Sequence, residues 1–401
     1  MSPDHPLELR LELDGRARRA VVDAGRFVAP DDLAPPDRPE TIRACSPFVD
    51  IQMNGRWGVS FSDPDVTARQ VVAILRAQPN LGVAKVCPTL ITAGPEATLA
   101  GIRAIMEAVH DDELVARIFA GIHLEGPWIS EVDGFRGAHP LAAVRDPDVR
   151  EFDRWYEAAE GRISIVTLAP ERPGAVEAIE HLVRLGVVVA IGHSRADRDA
   201  IARAVDAGAR LATHIGNGVA ANLPRHPNPI WDQLAENRLH ASFIPDGKHV
   251  EASILLAMMR AKTFDRSILV SDFSPLAGLP VGRYGPWAVD PSGKVVVAET
   301  PYLAGAWLGL REGVALLAEA AGGSSRDADD SLSRLLVACT ENPARLLGLT
   351  ANPPALGTPA DLLIYRSSVE RRFEHLGTFV AGSWFPPDEP EAPWTWESLG
   401  R

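Results

Sequence analysis

Short apolar runs rich in β-branched residues recur through the middle of the chain, and amphipathic helical patterns separate most of them. The runs are near-continuous rather than alternating, which is typical of parallel strands covered on both faces. In order they read PFVDIQMNG (47–55), GVAKVCPTL (82–90), IFAGIHLEG (118–126), ISIVTLAP (163–170), GVVVAIGHS (186–194), ARLATHIGN (209–217), LHASFIPDG (239–247) and SILVSDF (267–273). Strands alternating with helices predict a parallel sheet, and eight such units predict a TIM (β/α)8 barrel of the α/β class.

Side chains capable of chemistry follow nearly every predicted strand on its C-terminal side. They are Gln52, Asn54, Thr89, His123, Glu125, His193, His214, Asp246 and Asp272. Catalytic residues of TIM barrels collect at that face, whereas an open doubly wound sheet, the alternative fold, concentrates its chemistry at one switch point. The distribution of these side chains therefore favours the barrel.

The two ends of the chain follow a different pattern. Residues 7–46 alternate apolar and polar positions between turns, and strand-and-turn patterns return over residues 357–386. Each segment is short for independent stability, so we expect both termini to pair in one small β-sandwich domain. The predicted boundaries are residues 1–46 with 348–401 for this domain and residues 47–347 for the barrel.

Charge and cysteine usage limit the partners. The formal net charge of -13 argues against nucleic-acid binding and against an anionic membrane surface. No apolar run approaches the roughly 18 residues of a membrane span, and the N-terminal sequence lacks the order of a signal peptide. Cys45, Cys87 and Cys339 are widely separated, without a CxxC spacing. We therefore expect a reduced, cytoplasmic protein that binds a small molecule.

Four strand-end residues fit one metal site. Glu125, His193 and His214 would supply one carboxylate oxygen and two imidazole nitrogens, and three protein ligands with an open position are typical of catalytic zinc. Asp272 could take a proton from a metal-bound water and return it to a leaving amine. His123, two residues before Glu125, is interpreted as a supporting or core residue. For any of these residues taken singly, a hydrogen bond in a loop is the alternative role.

Several stretches resemble the N-acetylglucosamine-6-phosphate deacetylases of the amidohydrolase superfamily. They are HLEGPW, GHS, ATHIGN, PDGKHV and LVSDFSPLAG, followed by LGTPADLLIY. The resemblance implies removal of the acetyl group from an N-acetylated amino sugar, with N-acetylglucosamine 6-phosphate as the expected substrate and acetate and glucosamine 6-phosphate as products. It also implies a homodimer with one divalent metal ion per subunit, for which zinc is expected and iron or cobalt are the alternatives.

The resemblance also implies roles for individual residues. Gln52 and Asn54 stand where two-metal relatives carry His-x-His, and because an amide oxygen is a weak zinc ligand, we expect both to hydrogen-bond beside a single metal. Asp272 would be the catalytic base, and His249 would polarise the carbonyl or hold the phosphate. Further substrate contacts are expected from His139, Asn217, Gly218 and Arg225.

Arg225 matches a phosphate-binding arginine that can reach across the dimer interface of the family, and a solvated loop charge is its alternative role. Three departures from the family pattern lie around the substrate, namely Gly216 with Gly218–Val219, Phe273 and Trp307. Trp307 is interpreted either as a core residue or as a contact of the sugar. These departures leave two alternative functions open. One is an amidohydrolase for another amide, such as an unphosphorylated N-acetyl sugar or an N-acyl amino acid, and the other is a non-catalytic ligand-binding descendant.

Overall fold

The structure is a computed structural model that describes residues 6–13, 16–31, 42–300, 302–322, 325–349, 356–368 and 372–400. Its strands are Leu7–Leu13 (β1), Arg16–Asp23 (β2), Arg26–Asp31 (β3), Arg43–Cys45 (β4), Phe48–Met53 (β5), Gly55–Arg56 (β6), Val59–Ser60 (β7), Val83–Ile91 (β8), Ile122–Glu125 (β9), Ile163–Leu168 (β10), Val188–Ile191 (β11), Leu211–Ala212 (β12), His240–Phe243 (β13), Ser267–Leu269 (β14), Gly282–Tyr284 (β15), Trp287–Val289 (β16), Val295–Val297 (β17), Leu362–Arg366 (β18), Glu374–Val380 (β19) and Ser383–Phe385 (β20). Its α-helices are Ala68–Arg76 (α1), Pro95–Asp111 (α2), Glu113–Ile118 (α3), Val149–Ala158 (α4), Ala175–Arg184 (α5), Arg198–Asp206 (α6), Pro229–Ala235 (α7), Ala252–Lys262 (α8), Leu310–Ala321 (α9), Ser325–Cys339 (α10) and Glu341–Leu346 (α11).

Eight parallel strands form the larger sheet, in the order β14-β13-β12-β11-β10-β9-β8-β5. The sheet closes on itself beyond β14, where Phe273 bridges Met53 in parallel and the amide of Asp272 donates to the carbonyl of Gln52 at 2.9 Å. All eight strands expected from the apolar runs are present in this sheet. The predicted TIM barrel is therefore confirmed, and its closure brings Asp272 beside the end of the first strand.

Strand β11 explains why the barrel runs are apolar without interruption. Val188 and Ala190 belong to the hydrophobic cluster inside the barrel, whereas Val189 and Ile191 belong to the cluster between the strands and the surrounding helices. Both faces of the strand are thus covered by apolar groups, as in other parallel sheets. Successive strand residues point to opposite faces, so every position of β11 requires an apolar side chain.

The second sheet combines both ends of the chain in the order β20-β19-β18-β4-β1-β2-β3. Strand β18 joins the two halves through antiparallel pairing with β4, in which Ile364 lies opposite Ala44. The sheet has a hydrophobic cluster of its own that includes Leu11, Phe27 and Phe379. The expectation of one small β domain built from both termini is confirmed, and the exact boundary residues stay a prediction.

Two elements beside the barrel were not expected from the sequence pattern. Strands β15, β16 and β17 form an antiparallel sheet between the last barrel strand and α9. The C-terminal residues 386–400 lie against the barrel, where the indole nitrogen of Trp394 donates to the carbonyl of Trp57 at 2.8 Å. Both elements lie next to the loops that follow the first and last barrel strands.

The described part of the chain contains no helix that combines the length and the apolar character needed to cross a membrane. All three cysteines, Cys45, Cys87 and Cys339, are buried.

Candidate metal centre and active site

The C-terminal ends of four barrel strands bring the predicted metal and catalytic residues together. Glu125 is the last residue of β9, and His193, His214 and Asp272 follow β11, β12 and β14 within three residues. All four are buried. The three that follow their strands have left-handed backbone torsions, with φ of 49° at His193, 30° at His214 and 47° at Asp272. Such torsions cost about 1–3 kcal/mol in a residue other than glycine and are concentrated at functional sites.

Glu125, His193 and His214 form a compact group of metal-ligating atoms. The Nε2 atoms of His214 and His193 lie 2.8 Å and 3.2 Å from Oε1 of Glu125, and the ligand atoms of all three residues lie within 4.8 Å of one another. Burial alone would raise the pKa of Glu125, but hydrogen bonds from both imidazoles hold that pKa well below its usual range. The carboxylate is therefore ionised at the centre of the group.

This group fits a divalent metal ion. One carboxylate oxygen and two imidazole nitrogens are the donor set of catalytic zinc sites, and iron and cobalt accept the same donors. Nδ1 of His214 is also buried and has no hydrogen-bond partner among the described residues. The ring nitrogen of His214 that faces Glu125 is Nε2, so the chemistry of the three donors at Glu125, His193 and His214 is what fits the ion.

Asp272 is held beside this group by the two amides of the first strand. Nδ2 of Asn54 and Nε2 of Gln52 donate to Oδ1 of Asp272 at 2.7 Å and 3.2 Å, and the Gln52 amide also donates to Oε1 of Glu125 at 2.9 Å. Burial and the neighbouring charge of Glu125 raise the pKa of Asp272 to about 6. Gln52 and Asn54 thus lie where the sequence comparison expected them, as hydrogen-bond donors to the two carboxylates.

His249 lies in the same cavity and is oriented by Asp246, a pairing that the sequence did not predict. Nδ1 of His249 lies 2.7 Å from Oδ2 of Asp246, whose Oδ1 accepts from the backbone amides of Lys248 and His249. Burial would raise the pKa of Asp246, but its hydrogen bond with His249 lowers it. The ionised carboxylate fixes a proton on Nδ1 of His249, so the other ring nitrogen is left for a ligand.

His139 approaches the metal group from the loop that follows β9. Its Nε2 lies 3.1 Å from Nε2 of His193, and its Nδ1 lies 2.8 Å from Oγ1 of Thr92. Burial and the neighbouring His193 lower the pKa of His139 to about 3, so this imidazole is neutral. The loop after β9 therefore brings His139 next to the metal group.

One cavity of about 240 Å³ is lined by the metal group and by its neighbours Asn54, His139, His249 and Asp272. Asn217 and Gly218, which were expected to contact substrate, are part of its wall, and Trp287, Tyr302 and Leu303 extend the wall with apolar surface. The last three were missed because they follow no barrel strand directly. Their only sequence signal is a cluster of aromatic residues in a segment rich in glycine and proline.

Two predicted substrate contacts lie outside this cavity wall. Trp307 packs among Leu279, Val289 and Val295 beneath the three-stranded sheet, and its indole nitrogen donates to the carbonyl of Leu279 at 3.0 Å. Of the two roles interpreted for Trp307, these contacts favour the core role, and a contact with the sugar stays a prediction. Arg225 is exposed on the loop before α7 and does not line the cavity of its own chain.

His123 has both ring nitrogens engaged in the barrel interior. Nδ1 lies 2.9 Å from the carbonyl of Ile51, and Nε2 lies 2.8 Å from Oγ1 of Thr167. Neither nitrogen is left to bind a metal ion. This arrangement agrees with the interpretation of His123 as a supporting or core residue.

The fold and the site define the class of protein, and its relatives define the family. A closed barrel with a Glu-His-His group and an adjacent aspartate at the strand ends defines an amidohydrolase that cleaves carbon–nitrogen bonds. The chain is 32% identical to the N-acetylglucosamine-6-phosphate deacetylase of Danio rerio over 349 residues, which are 84% of this chain and 82% of that enzyme. It belongs to the N-acetylglucosamine-6-phosphate deacetylase family.

Two further similarities bear on the substrate. The chain is 35% identical to the N-acetylgalactosamine-6-phosphate deacetylase of Shewanella sp. (strain ANA-3), over 57% of this chain and about half (56%) of that enzyme. An N-acetyl-D-glucosamine-6-phosphate deacetylase of Mycobacterium smegmatis superposes with a TM-score of 0.79 at 32% identity, over 94% of this chain and 99% of that one. That solved structure is an aspartate-to-alanine variant in complex with N-acetyl-D-glucosamine-6-phosphate. No family model matches the chain.

Proposed function

We propose that the protein removes the acetyl group from N-acetylglucosamine 6-phosphate with one divalent metal ion, zinc foremost and iron or cobalt as alternatives. The observation that carries this proposal is the buried group of Glu125, His193 and His214 with Asp272 beside it. Such an ion supplies Lewis acidity toward water and toward a carbonyl oxygen. The names of the relatives and of the solved structure support the substrate.

Residues of the chain itself transfer the proton, hold the catalytic carboxylate and contact the substrate. Asp272 takes the proton of the attacking water and returns it to the leaving amine nitrogen, and a pKa near 6 suits a group that must do both near neutral pH. Asn54 and Gln52 hold Oδ1 of this carboxylate in place. His249, fixed through its Nδ1 by Asp246, contacts the acetyl oxygen or the phosphate.

The test is acetate release by protein reconstituted with zinc, iron or cobalt. The substrates are N-acetylglucosamine 6-phosphate, its galactosamine epimer and unphosphorylated N-acetylglucosamine. The epimer is the second candidate because one of the similar relatives carries that name. Turnover that requires both metal and phosphate supports the proposal. Turnover of the unphosphorylated sugar alone, or of no substrate with metal-loaded protein, contradicts it.

The phosphate needs a cation that the cavity of one chain does not provide. Among the described residues, the cavity wall contains histidines but no lysine or arginine. We propose that Arg225 of a second copy supplies the guanidinium, since paired hydrogen bonds from arginine suit a phosphate. Trp231, six residues farther on, has 55% of its surface exposed and offers apolar area for a homodimer contact. The cytoplasmic location proposed for this dimer rests on the wide spacing of the cysteines.

Mixing two impaired variants tests this arrangement. Arg225→Gln should raise KM for the phosphorylated substrate at least about tenfold, because a charge-assisted contact is lost, and leave any residual turnover of the unphosphorylated sugar unchanged. Subunit exchange between Arg225→Gln and Asp272→Asn chains should restore about a quarter of wild-type activity, because half of the dimers are mixed and each has one complete site. An arginine that acts within its own chain would give no such recovery.

A further inference from the structure

Tyr302 connects the two loops that border the active-site cavity. Its ring is part of the cavity wall, and its hydroxyl donates to Oδ2 of Asp133 at 2.7 Å. Asp133 lies in the loop of residues 131–139, which we call the β9 loop because it follows strand β9. Tyr302 follows strand β17, so it lies far from the β9 loop in the sequence. The hydrogen bond therefore joins segments that are 169 residues apart.

The contact continues from Asp133 to the imidazole that approaches the metal group. The guanidinium of Arg136 donates to Oδ1 of Asp133 at 3.0 Å and to the carbonyl oxygen of His139 at 2.6 Å. His139 in turn places Nε2 3.1 Å from Nε2 of His193. The Asp133 carboxylate thus receives one hydrogen bond from each side, and the Arg136 side chain fixes the backbone that carries His139.

The β9 loop packs directly on His193 as well. Nδ1 of His193 lies 3.2 Å from the carbonyl oxygen of Phe135, and Gly137 lies so close that a Cβ there would meet the His193 ring at 3.4 Å. The loop therefore reaches the metal group from the solvent side. Loops that cover an active site are held in place while substrate is bound and move when substrate is exchanged in many enzymes.

We propose that Tyr302 is a positioning residue for the reaction, which holds the β9 loop and its His139 over the cavity through Asp133 and Arg136. Its hydroxyl is suited to this role because the hydrogen bond to Asp133 raises the pKa of Tyr302 and keeps the donor proton in place. Because Asp133 is exposed, the tether can be made and broken at modest cost.

Tyr302→Phe is the first test, since it removes the hydroxyl and keeps the ring in the cavity wall. We expect kcat/KM for the phosphorylated substrate to fall about three- to tenfold, the effect of one lost hydrogen bond. Trypsin should cut metal-loaded protein after Arg136 faster by a similar factor, as followed by mass spectrometry. Tyr284→Phe is the matched control, because the Tyr284 hydroxyl donates to the backbone of Pro280 at 2.8 Å in the neighbouring sheet. It should change neither quantity.

Asp133→Ala and the double variant decide whether the two residues act together. Joint action predicts that the double variant is no worse than Asp133→Ala alone. Effects that add, or cleavage of Tyr302→Phe at the wild-type rate, would overturn the proposal. The kinetic part rests on the proposed function, whereas the proteolysis needs no substrate. If the proposed substrate is wrong, faster cleavage of Tyr302→Phe by trypsin is therefore still expected. If the tether is wrong, Tyr302→Phe should be cleaved at the wild-type rate.

Discussion

Asp272→Asn is expected to lower kcat for acetate release by roughly a hundred- to ten-thousandfold, the range in which a positioned general base contributes. The substitution is close to isosteric, and both amide donors of the site, Asn54 and Gln52, hydrogen-bond to Oδ1, which an asparagine retains as a carbonyl oxygen. The variant therefore loses the basic carboxylate but keeps its local hydrogen bonds. Metal content should stay at the wild-type level.

The measurement combines steady-state kinetics with metal analysis of the same protein. Asp148→Asn is a suitable control, because Asp148 caps helix α4 by accepting from the amide of Arg150 at 2.9 Å, a role that asparagine fills equally well. Full metal content with more than a tenth of the wild-type kcat in Asp272→Asn would show that another group moves the proton. Loss of the metal together with the activity would make Asp272 a ligand rather than a base.

The metal group could be predicted from the sequence because the barrel fold makes strand ends meet. Glu125, His193, His214 and Asp272 are separated by up to 147 residues, yet each follows a predicted strand at its carboxyl end. In a closed parallel barrel those ends form one ring. The type and order of the predicted strands were therefore enough to predict that these four side chains lie together.

The torsions at the same residues could not be predicted. Glycine adopts left-handed φ readily, and although asparagine, aspartate and histidine do so more often than other residues, most of them keep a negative φ, so the residue type alone does not predict the torsion. His193 and His214 take that conformation because the turns after β11 and β12 are fixed on both sides, for example by the hydrogen bond from Thr213 to the carbonyl of Ile191. Contacts with the rest of the fold therefore impose these torsions, although a non-glycine residue by itself disfavours them.

The wall of the cavity was predicted less well than its metal group. Trp307 departs from the family pattern, and a sequence comparison cannot distinguish a changed substrate contact from a changed core contact. In the structure Trp307 packs on Leu279, Val289 and Val295, because β15, β16 and β17 form a sheet that buries one face against apolar side chains. These strands are only three residues long, too short for periodicity to reveal them.

His214→Ala is expected to weaken zinc binding by more than about a hundredfold, since changing even a residue that supports a metal ligand costs ten- to a hundredfold. His214 lies 2.8 Å from Glu125 and is buried, so no other side chain can take its place without rebuilding the turn after β12. Activity should fall with metal occupancy. Competition with a chelator measures the affinity, and metal analysis of the wild type should give one ion per chain.

Thermal unfolding provides a second measurement that does not depend on turnover. A metal that binds only the folded protein stabilises it by RT ln(1 + [metal]/Kd), so zinc should raise the melting temperature of the wild type and raise that of His214→Ala much less. His110→Ala is the control, because His110 is exposed and pairs with Glu160 at 2.8 Å. It should respond to zinc like the wild type.

Two outcomes of these measurements would change the interpretation of the site. An unchanged response of His214→Ala to zinc would mean that the metal binds elsewhere than at Glu125, His193 and His214. Two ions per chain would mean that Gln52 and Asn54 help to hold a second metal. In the structure both amides donate to carboxylates, which stabilises negative charge beside one cation, and for this reason we expect a single ion.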